Sequence, residues 1–249
     1  MPALSVAIIT KNEAARIERC VESVSWADEI VVVDSGSIDD TVELCRRAGC
    51  RVIESEWLGF GRTKQLAVDS CSNDLVLVLD ADETVSDELR VRLLQVRNAP
   101  ERAGYRIRRV SYYLGQRIKH CGWGRDEPLR LFDRRKGRFN EKAVHESIEM
   151  SDGLIGTIRE PILHDTYPDI ETHIRKMTRY ARLSAEEQAQ RRSASIASAC
   201  GRGLWKFITM YIFKLGFLDG RNGFVLCLNS AFGAYLRESF IREIRHGKA

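Results

Sequence analysis

The first hundred residues alternate between apolar runs and segments with helical spacing. Residues 4–10, 29–34 and 75–79 are nearly continuous apolar runs rich in β-branched side chains, which is typical of strands covered on both faces. Between them apolar residues recur three and four positions apart, and residues 86–96 begin with a serine cap and two acidic residues. This order predicts a doubly wound α/β fold with a parallel sheet.

Polar clusters follow three of the predicted strands, at residues 10–13, 34–37 and 80–83. Ligands bind such sheets beyond the carboxyl ends of the strands. The chain has no glycine-rich dinucleotide motif and no P-loop. A single residue separates Asp80 from Asp82, so in an extended chain their side chains point the same way and could hold a divalent cation. The alternative is that they cap the next helix or face water.

Composition narrows the class of protein further. The 249 residues are 44% hydrophobic and 30% charged, which is sufficient for a sizeable core. The seven cysteines contain no C-x-x-C pair, so we expect reduced thiols in a cytoplasm rather than disulfides or a thiolate zinc site. No stretch reaches the roughly 18 uncharged apolar residues of a transmembrane helix. Lys11 interrupts the first apolar run, which favours a buried strand over a signal peptide.

Charge is distributed unevenly around a net value of +4. Residues 102–142 and 175–249 are basic, whereas the rest of the chain is acidic. Basic segments attract the phosphates of nucleic acids, lipid headgroups or phosphorylated substrates. The alternative is that they are two solvated faces.

Four motifs across residues 4–84 resemble glycosyltransferase family 2, whose members are inverting enzymes that use nucleotide-diphosphate sugars. The motifs lie at residues 5–13, 29–41, 61–67 and 79–83. The resemblance implies a GT-A fold, which is a doubly wound mixed α/β sheet. It also implies a nucleotide-sugar half at residues 1–100, an acceptor half at 101–170 and a helical C-terminal extension at 171–249.

The resemblance further implies roles for individual residues near the donor. Asp34 is expected to bond the base, usually uracil, and Asp82 to hold Mg²⁺ or Mn²⁺ against the diphosphate. A cation there would stabilise the departing phosphate as a Lewis acid. His164 is a candidate second ligand or, alternatively, a structural histidine. The expected nucleotide-sugar contacts are Thr10, Asn12, Glu13, Asp34, Lys64, Asp80 and Ala81.

Residues 123–132 resemble the family stretch that supplies the general base. An inverting displacement needs one carboxylate to take the proton of the acceptor hydroxyl. Asp126 best matches that position and Glu127 is the alternative catalytic residue. A third possibility is that Asp126 only pairs with a neighbouring arginine at the surface. Contacts to the acceptor or to phosphate are expected from Arg125, Arg130 and His145.

The C-terminal quarter contains two apolar segments. Residues 203–218 are apolar around almost the whole of a predicted helix, with Lys206 and Lys214 on one stripe, and a second apolar run covers residues 224–236. A helix of this kind is buried in protein or lies in a membrane interface. We predict peripheral membrane contact, and the alternative is a helical hairpin packed on the catalytic domain or on a second subunit.

Residues 162–167 and 216–224 resemble a subgroup associated with lipopolysaccharide inner-core assembly, in which β-linked glucose is added to heptose. We therefore expect a metal-dependent glycosyltransferase that moves a sugar, with glucose favoured, from a UDP-sugar to a lipid-anchored saccharide. It would act at the inner face of the cytoplasmic membrane of a bacterium. We expect no nucleic-acid partner, and the sequence does not decide whether the protein is a homo-oligomer. The alternatives are transfer to a polyprenyl phosphate and a catalytically silent relative that binds a membrane or a partner enzyme.

Overall fold

The computed structural model describes residues 2–140 and 146–247, and the chain forms two compact units. The first unit contains Met1–Val110 and Asp126–His164, and the second contains Ser111–Arg125 and Asp165–Ala249. Each unit is therefore built from two stretches of chain, whereas the sequence predicts three consecutive segments. Those segments are assigned by function, and they stay a prediction.

Strands and helices alternate through the first hundred residues, and helices predominate after residue 170. The strands are β1 (Leu4–Thr10), β2 (Glu29–Asp34), β3 (Arg51–Glu54), β4 (Leu75–Asp80), β5 (Glu83–Val85), β6 (Gly104–Tyr113), β7 (Gln116–Arg117), β8 (Leu129–Asp133), β9 (Gly137–Phe139), β10 (Ile148–Met150) and β11 (Ile155–Tyr167). The α-helices are α1 (Ala14–Ser23), α2 (Thr41–Arg47), α3 (Phe60–Asp69), α4 (Asp87–Asn98), α5 (Ile170–Ala189), α6 (Ile196–Ile208) and α7 (Gly220–His246).

The main sheet is mixed, with the strand order β3-β2-β1-β4-β8-β6-β11-β5 and with β7 paired to β6. The strands β3, β2, β1 and β4 are parallel. From β4 onward the neighbours are antiparallel, as in the pairs β4–β8, β6–β8 and β11–β5. The parallel half is the part that the apolar runs predict.

Successive residues of β1 contribute to two different cores of the first unit. Leu4, Val6 and Ile8 belong to one cluster, and Ala7 and Ile9 belong to the other. This follows from the two-residue repeat of a strand, which sends alternate side chains to opposite faces. Residues of α1 cover the first face and residues of α3 the second. A strand covered on both faces needs apolar side chains on both, which explains the nearly continuous apolar run of β1.

The helix predicted over residues 203–218 is wrong in its extent. After α6 the chain makes a π-helical turn at Thr209–Phe213 and a 3-10 turn at Gly216–Asp219. Leu215, between them, has φ 55. A Cβ on Gly216 would lie 2.8 Å from Cys227 Sγ, so close packing selects glycine there. The next helix, α7, begins at Gly220, before the second apolar run.

A buried polar network lies within the second unit and is centred on His173, whose exposed fraction is 3%. Its Nδ1 lies 3.0 Å from the Tyr113 hydroxyl and 3.3 Å from Asn229 Nδ2. The Tyr167 ring stacks on the imidazole with centroids 4.1 Å apart. Burial lowers the pKa of His173 from 6.5 to about 4, because a charged imidazole would lose its hydration there.

This shift predicts a pH-dependent stability. Between pH 6.5 and 4 the unfolded chain binds a proton at His173 that the folded chain does not bind, so the free energy of unfolding falls as the pH falls. The contribution is at most about 3 kcal/mol. Urea unfolding at pH 7, 6 and 5 should show a shallower loss for His173→Gln than for the unaltered chain. His246→Gln, at an exposed position, is the control, and equal slopes for all three proteins would contradict the prediction.

Candidate active site

The three predicted polar clusters meet at one edge of the parallel sheet. In the register of the sheet, Thr10 pairs with Asp34 across β1 and β2. Ile9 pairs with Asp80 across β1 and β4. The carboxyl ends of three adjacent strands are therefore aligned, and the predicted nucleotide-sugar contacts of all three clusters lie together in the first unit.

Asp34 orders the loop that follows β2. It is 1% exposed, and its Oδ2 accepts hydrogen bonds from the backbone N–H groups of Gly36 at 2.9 Å and Ser37 at 2.8 Å. The Ser37 hydroxyl donates to the other carboxylate oxygen. The carboxylate is thus engaged by its own loop, and the expected bond to the base stays a prediction.

Asn12 and Glu13 connect the first loop to the second. Asn12 has φ 55, a left-handed conformation that asparagine tolerates better than most residues, and its backbone N–H donates to Ser37 Oγ at 2.8 Å. The backbone N–H of Glu13 donates to Thr41 Oγ1 at 2.9 Å. The Glu13 carboxylate pairs with Arg16. Both residues therefore fix the shape of the loops.

Three buried hydroxyls near these loops have unused hydrogen-bonding capacity. Thr10 Oγ1, Ser35 Oγ and Thr63 Oγ1 have no partner among the described residues. A buried polar group without a partner costs about 1–3 kcal/mol, so each of these hydroxyls has capacity for a further hydrogen bond. Thr10 was predicted as a contact, and that role stays a prediction. Ser35 and Thr63, which adjoin the predicted contacts Asp34 and Lys64 in the sequence, were not predicted.

Asp80 is held by two buried cations. Its Oδ1 lies 2.8 Å from Lys64 Nζ, and its Oδ2 accepts a hydrogen bond from Arg130 Nη2 at 2.8 Å. Burial alone would raise the pKa of Asp80, but Lys64 and Arg130 hold it well below its usual range. Lys64 Nζ also donates to Glu146 Oε1 at 2.7 Å. Lys64 and Arg130 are each 4% exposed, so their charges are balanced within the protein.

Glu83 connects Arg130 to a third cation, Arg109. The glutamate is fully buried, and its Oε1 accepts from Arg130 Nη2 at 2.6 Å and from Arg109 Nη1 at 3.1 Å. Its Oε2 accepts the backbone N–H of Asp80 at 3.0 Å. Burial lowers the pKa of Arg130, but the carboxylates of Glu83 and Asp80 raise it above its usual range. The guanidinium is therefore charged and fixed.

The predicted metal ligands Asp82 and His164 are brought together. Asp82 Oδ1 and His164 Nε2 lie 3.4 Å apart, and both side chains are 13% exposed. No group of three or more His, Cys, Asp or Glu side chains in residues 2–140 and 146–247 is arranged to hold a metal. One carboxylate oxygen and one imidazole nitrogen suit Mn²⁺ when phosphate or water completes the shell. The pair fits such an ion.

Asp126 pairs with Arg109, whereas the pair considered from the sequence was with a neighbouring arginine, Arg125 or Arg130. Arg109 Nε donates to Asp126 Oδ2 at 2.7 Å. Arg130 is instead engaged by Asp80 and Glu83. The side chain of Asp126 is 37% exposed, so it remains accessible to an acceptor.

The other predicted contacts are distributed as follows. Glu127 is exposed. Ala81 is 4% exposed and packs in the core of the first unit, so its side chain cannot be an open contact. His145 lies outside the described residues. Glu83 and Arg109 were not among the predicted residues, and the structure places them in contact with Asp126 and Arg130.

Comparisons with known proteins agree with this geometry. The family model Glycosyl transferase family 2 matches residues 5–152. The lipopolysaccharide core biosynthesis glycosyltransferase LpsC of Rhizobium meliloti is 31% identical over 259 residues, which covers 98% of this chain and 93% of LpsC. An uncharacterized glycosyltransferase of Rickettsia typhi is 30% identical over 257 residues, covering 98% of this chain and 88% of that protein.

A solved structure shares the fold. S. aureus TarS (residues 1–349) in complex with UDP-GlcNAc has a TM-score of 0.52 to this chain at 13% sequence identity. The match covers 98% of this chain and 92% of that chain. At this identity the likeness establishes the architecture.

The charge network predicts a stability effect at Glu83. In Glu83→Gln the buried guanidinium of Arg130 and its neighbour Arg109 lose a charged partner, so we expect a loss of about 3–5 kcal/mol in the free energy of unfolding. Urea denaturation measures it. Glu88→Gln, at an exposed position in α4, is the matched control and should change stability by less than about 1 kcal/mol. A Glu83→Gln protein as stable as the control would contradict the analysis.

Proposed function

The chain belongs to glycosyltransferase family 2, and from that premise we propose that it transfers a sugar from a UDP-sugar to a lipopolysaccharide core saccharide with inversion at the anomeric carbon. The family, the GT-A fold class and the glycosyltransferase activity predicted from the sequence are confirmed. The similarity to LpsC across nearly the whole chain supports a core saccharide as the acceptor. Glucose is proposed as the sugar from the motifs at residues 162–167 and 216–224.

The alignment of three motif loops at one sheet edge is the observation that carries the proposal. The register that places Thr10 beside Asp34, and Ile9 beside Asp80, gathers the predicted donor contacts. The unpaired hydroxyls of Thr10 and Ser35 add hydrogen-bonding capacity at the same edge. A nucleotide diphosphate needs several such polar contacts, because its charged groups lose water on binding.

We assign Asp82 and His164 as the ligands of Mg²⁺ or Mn²⁺, with Mn²⁺ favoured by the imidazole. Such an ion supplies positive charge to the diphosphate as the sugar–phosphate bond breaks. The carboxylate of Asp80 pairs with Lys64 and Arg130. The backbone N–H of Asp80 donates a hydrogen bond to Glu83, so Asp80 is held at two points. Its role in the proposal is to fix the loop on which Asp82 lies.

Asp126 is assigned as the general base. Its carboxylate takes the proton of the acceptor hydroxyl while that oxygen forms a bond to the anomeric carbon. The bond between the anomeric carbon and the β-phosphate oxygen breaks on the opposite face, and UDP leaves with the electron pair. The exposed side of Asp126 is compatible with an incoming hydroxyl. Glu127, which is exposed beside it, is the alternative base.

The second unit presents an apolar and basic surface that we assign to the inner face of the cytoplasmic membrane. Trp205 and Phe213 are 63% and 68% exposed, and their rings lie 6.1 Å apart. Burial lowers the pKa of Lys206, as do the nearby cations Lys214 and Arg237, which marks a concentration of positive charge. The other exposed large apolar side chains of residues 204–232 are Leu204, Ile212, Leu215, Phe217, Leu218, Phe224, Leu228 and Phe232.

Anionic headgroups would match these cations, while the aromatic rings enter the interface. Among residues 2–140 and 146–247, no helix is both long and apolar enough to cross a bilayer. The proposal is therefore peripheral contact. A homo-oligomer that covers the same apolar side chains is the competing outcome.

The base assignment predicts a specific kinetic defect. With Mn²⁺, UDP-glucose and a heptose-terminated core acceptor, Asp126→Asn should lower kcat by roughly 10²–10⁴-fold, because only proton transfer is lost. Its affinity for UDP should stay unchanged. Product formation is followed by mass spectrometry, with polyprenyl phosphate as the competing acceptor.

Glu127→Gln is the matched control and should turn over at nearly the normal rate. If Glu127→Gln shows the defect and Asp126→Asn does not, the base is Glu127. If polyprenyl phosphate is glucosylated and the core acceptor is not, the acceptor assignment is wrong.

The surface assignment predicts a loss of membrane binding. Trp205→Ser combined with Phe213→Ser should reduce co-sedimentation with vesicles of phosphatidylglycerol and phosphatidylethanolamine, because both anchoring rings are removed. Leu154→Ser, at a side chain of the first unit that is 67% exposed, is the control and should bind normally. Unchanged vesicle binding by a folded double variant would contradict the proposal. Sedimentation velocity would then test the oligomer.

A further inference from the structure

We propose that Arg109 is a positioning residue for Asp126, holding one carboxylate oxygen so that the other faces the acceptor hydroxyl. The inference rests on the proposed role of Asp126 as the base. Arg109 contacts the base and, through Glu83, the loop that contains Asp82. It therefore connects the proposed base to the loop that contains the proposed metal ligand Asp82.

Arg109 and Asp126 are joined twice. The backbone N–H of Arg109, in β6, donates to the carbonyl oxygen of Asp126 at 2.8 Å, and the two residues form an isolated antiparallel bridge. The guanidinium also contacts Asp126 Oδ2 through Nε, at 2.7 Å, and through Nη2. Two donors on one oxygen fix the carboxylate more firmly than a single contact would.

The contact leaves one oxygen of Asp126 available. In the described part of the chain, Oδ1 accepts no hydrogen bond, whereas Oδ2 is occupied by Arg109. A carboxylate that is 37% exposed would otherwise rotate about its side-chain torsions. The arginine thus selects both the orientation and the oxygen that can take a proton.

Arg109 is itself fixed at its far end. Its Nη1 donates to Glu83 Oε1 at 3.1 Å, and Glu83 is fully buried. Burial lowers the pKa of Arg109, but Glu83 and Asp126 raise it above its usual value, so the guanidinium remains charged. A lysine has a single nitrogen and cannot reproduce a bridge that uses Nε, Nη1 and Nη2 at once.

Accurate placement matters because proton transfer needs the base within hydrogen-bond reach of the hydroxyl. A displacement of about 1 Å can cost about 10²-fold in rate. We therefore expect Arg109→Gln to lower kcat by about 10²-fold with the KM for UDP-glucose within about twofold of normal. Arg109→Lys, which keeps the charge without the fork, should recover part of that loss.

A double-mutant comparison separates positioning from a general structural role. In an Asp126→Asn background there is no base to position, so adding Arg109→Gln should change the residual kcat by less than about threefold. Arg108 directly precedes Arg109 in β6, so its side chain lies on the opposite face. Arg108→Gln is therefore the control and should leave kcat unchanged. Melting temperature and UDP affinity are measured for each variant. If Arg109→Gln does not fold, Arg109→Lys carries the same comparison.

The outcomes are distinct. An equal loss from Arg109→Gln with and without Asp126 would overturn the positioning role, as would a raised KM with an unchanged kcat. Near-normal turnover by Asp126→Asn would instead show that the proposed base is wrong. A large defect in Asp126→Asn, together with a non-additive defect in Arg109→Gln, supports both.

Discussion

The burial of Glu83 is the constraint on which the rest of the site depends. A fully buried carboxylate is expensive unless cations and hydrogen bonds compensate it, and here Arg109, Arg130 and the backbone of Asp80 do so. The two arginines lie on β6 and β8 in the antiparallel part of the sheet, whereas Glu83 is the first residue of β5, shortly after the parallel strand β4. Compensation is possible only when these strands are paired in one register. Since buried ion pairs add little net stability relative to apolar packing, the gain is in fixed geometry.

The sequence was sufficient to predict the parallel half of the fold, because strands covered on both faces are mainly apolar and β1, β2 and β4 show this pattern. It was not sufficient for β6, β8 and β11, where arginines and tyrosines interrupt any simple repeat. The same limit applies to the site. Asp82 and Lys64 were assigned from local motifs, and those roles stay predictions, whereas the role proposed for Arg109 depends on long-range antiparallel pairing that no local pattern encodes.

The second unit shows a different limit of pattern reading. Apolar residues around the whole of a helix specify burial or contact but not where the helix ends. The first apolar segment ends near Gly216, where close packing leaves no room for a Cβ. Shortly after it, the Asp219 carboxylate accepts hydrogen bonds from the backbone N–H groups of Lys119 at 3.1 Å and His120 at 2.8 Å. These bonds hold the turn before α7 and direct its apolar side chains. Trp205 and Phe213, which precede this turn in the chain, have exposed aromatic rings.

Charge balance in the first unit bears on how a departing diphosphate is stabilised. Lys64 is paired with Asp80 and Glu146, and Arg130 is paired with Asp80 and Glu83. Both cations were predicted as substrate contacts, but neighbouring carboxylates already neutralise their charge. Attraction of a diphosphate to this edge therefore requires positive charge that the network does not supply. A divalent cation at the proposed ligands Asp82 and His164 would meet that requirement, and so the same pairing that fixes the loop gives a physical reason for the metal dependence that we propose.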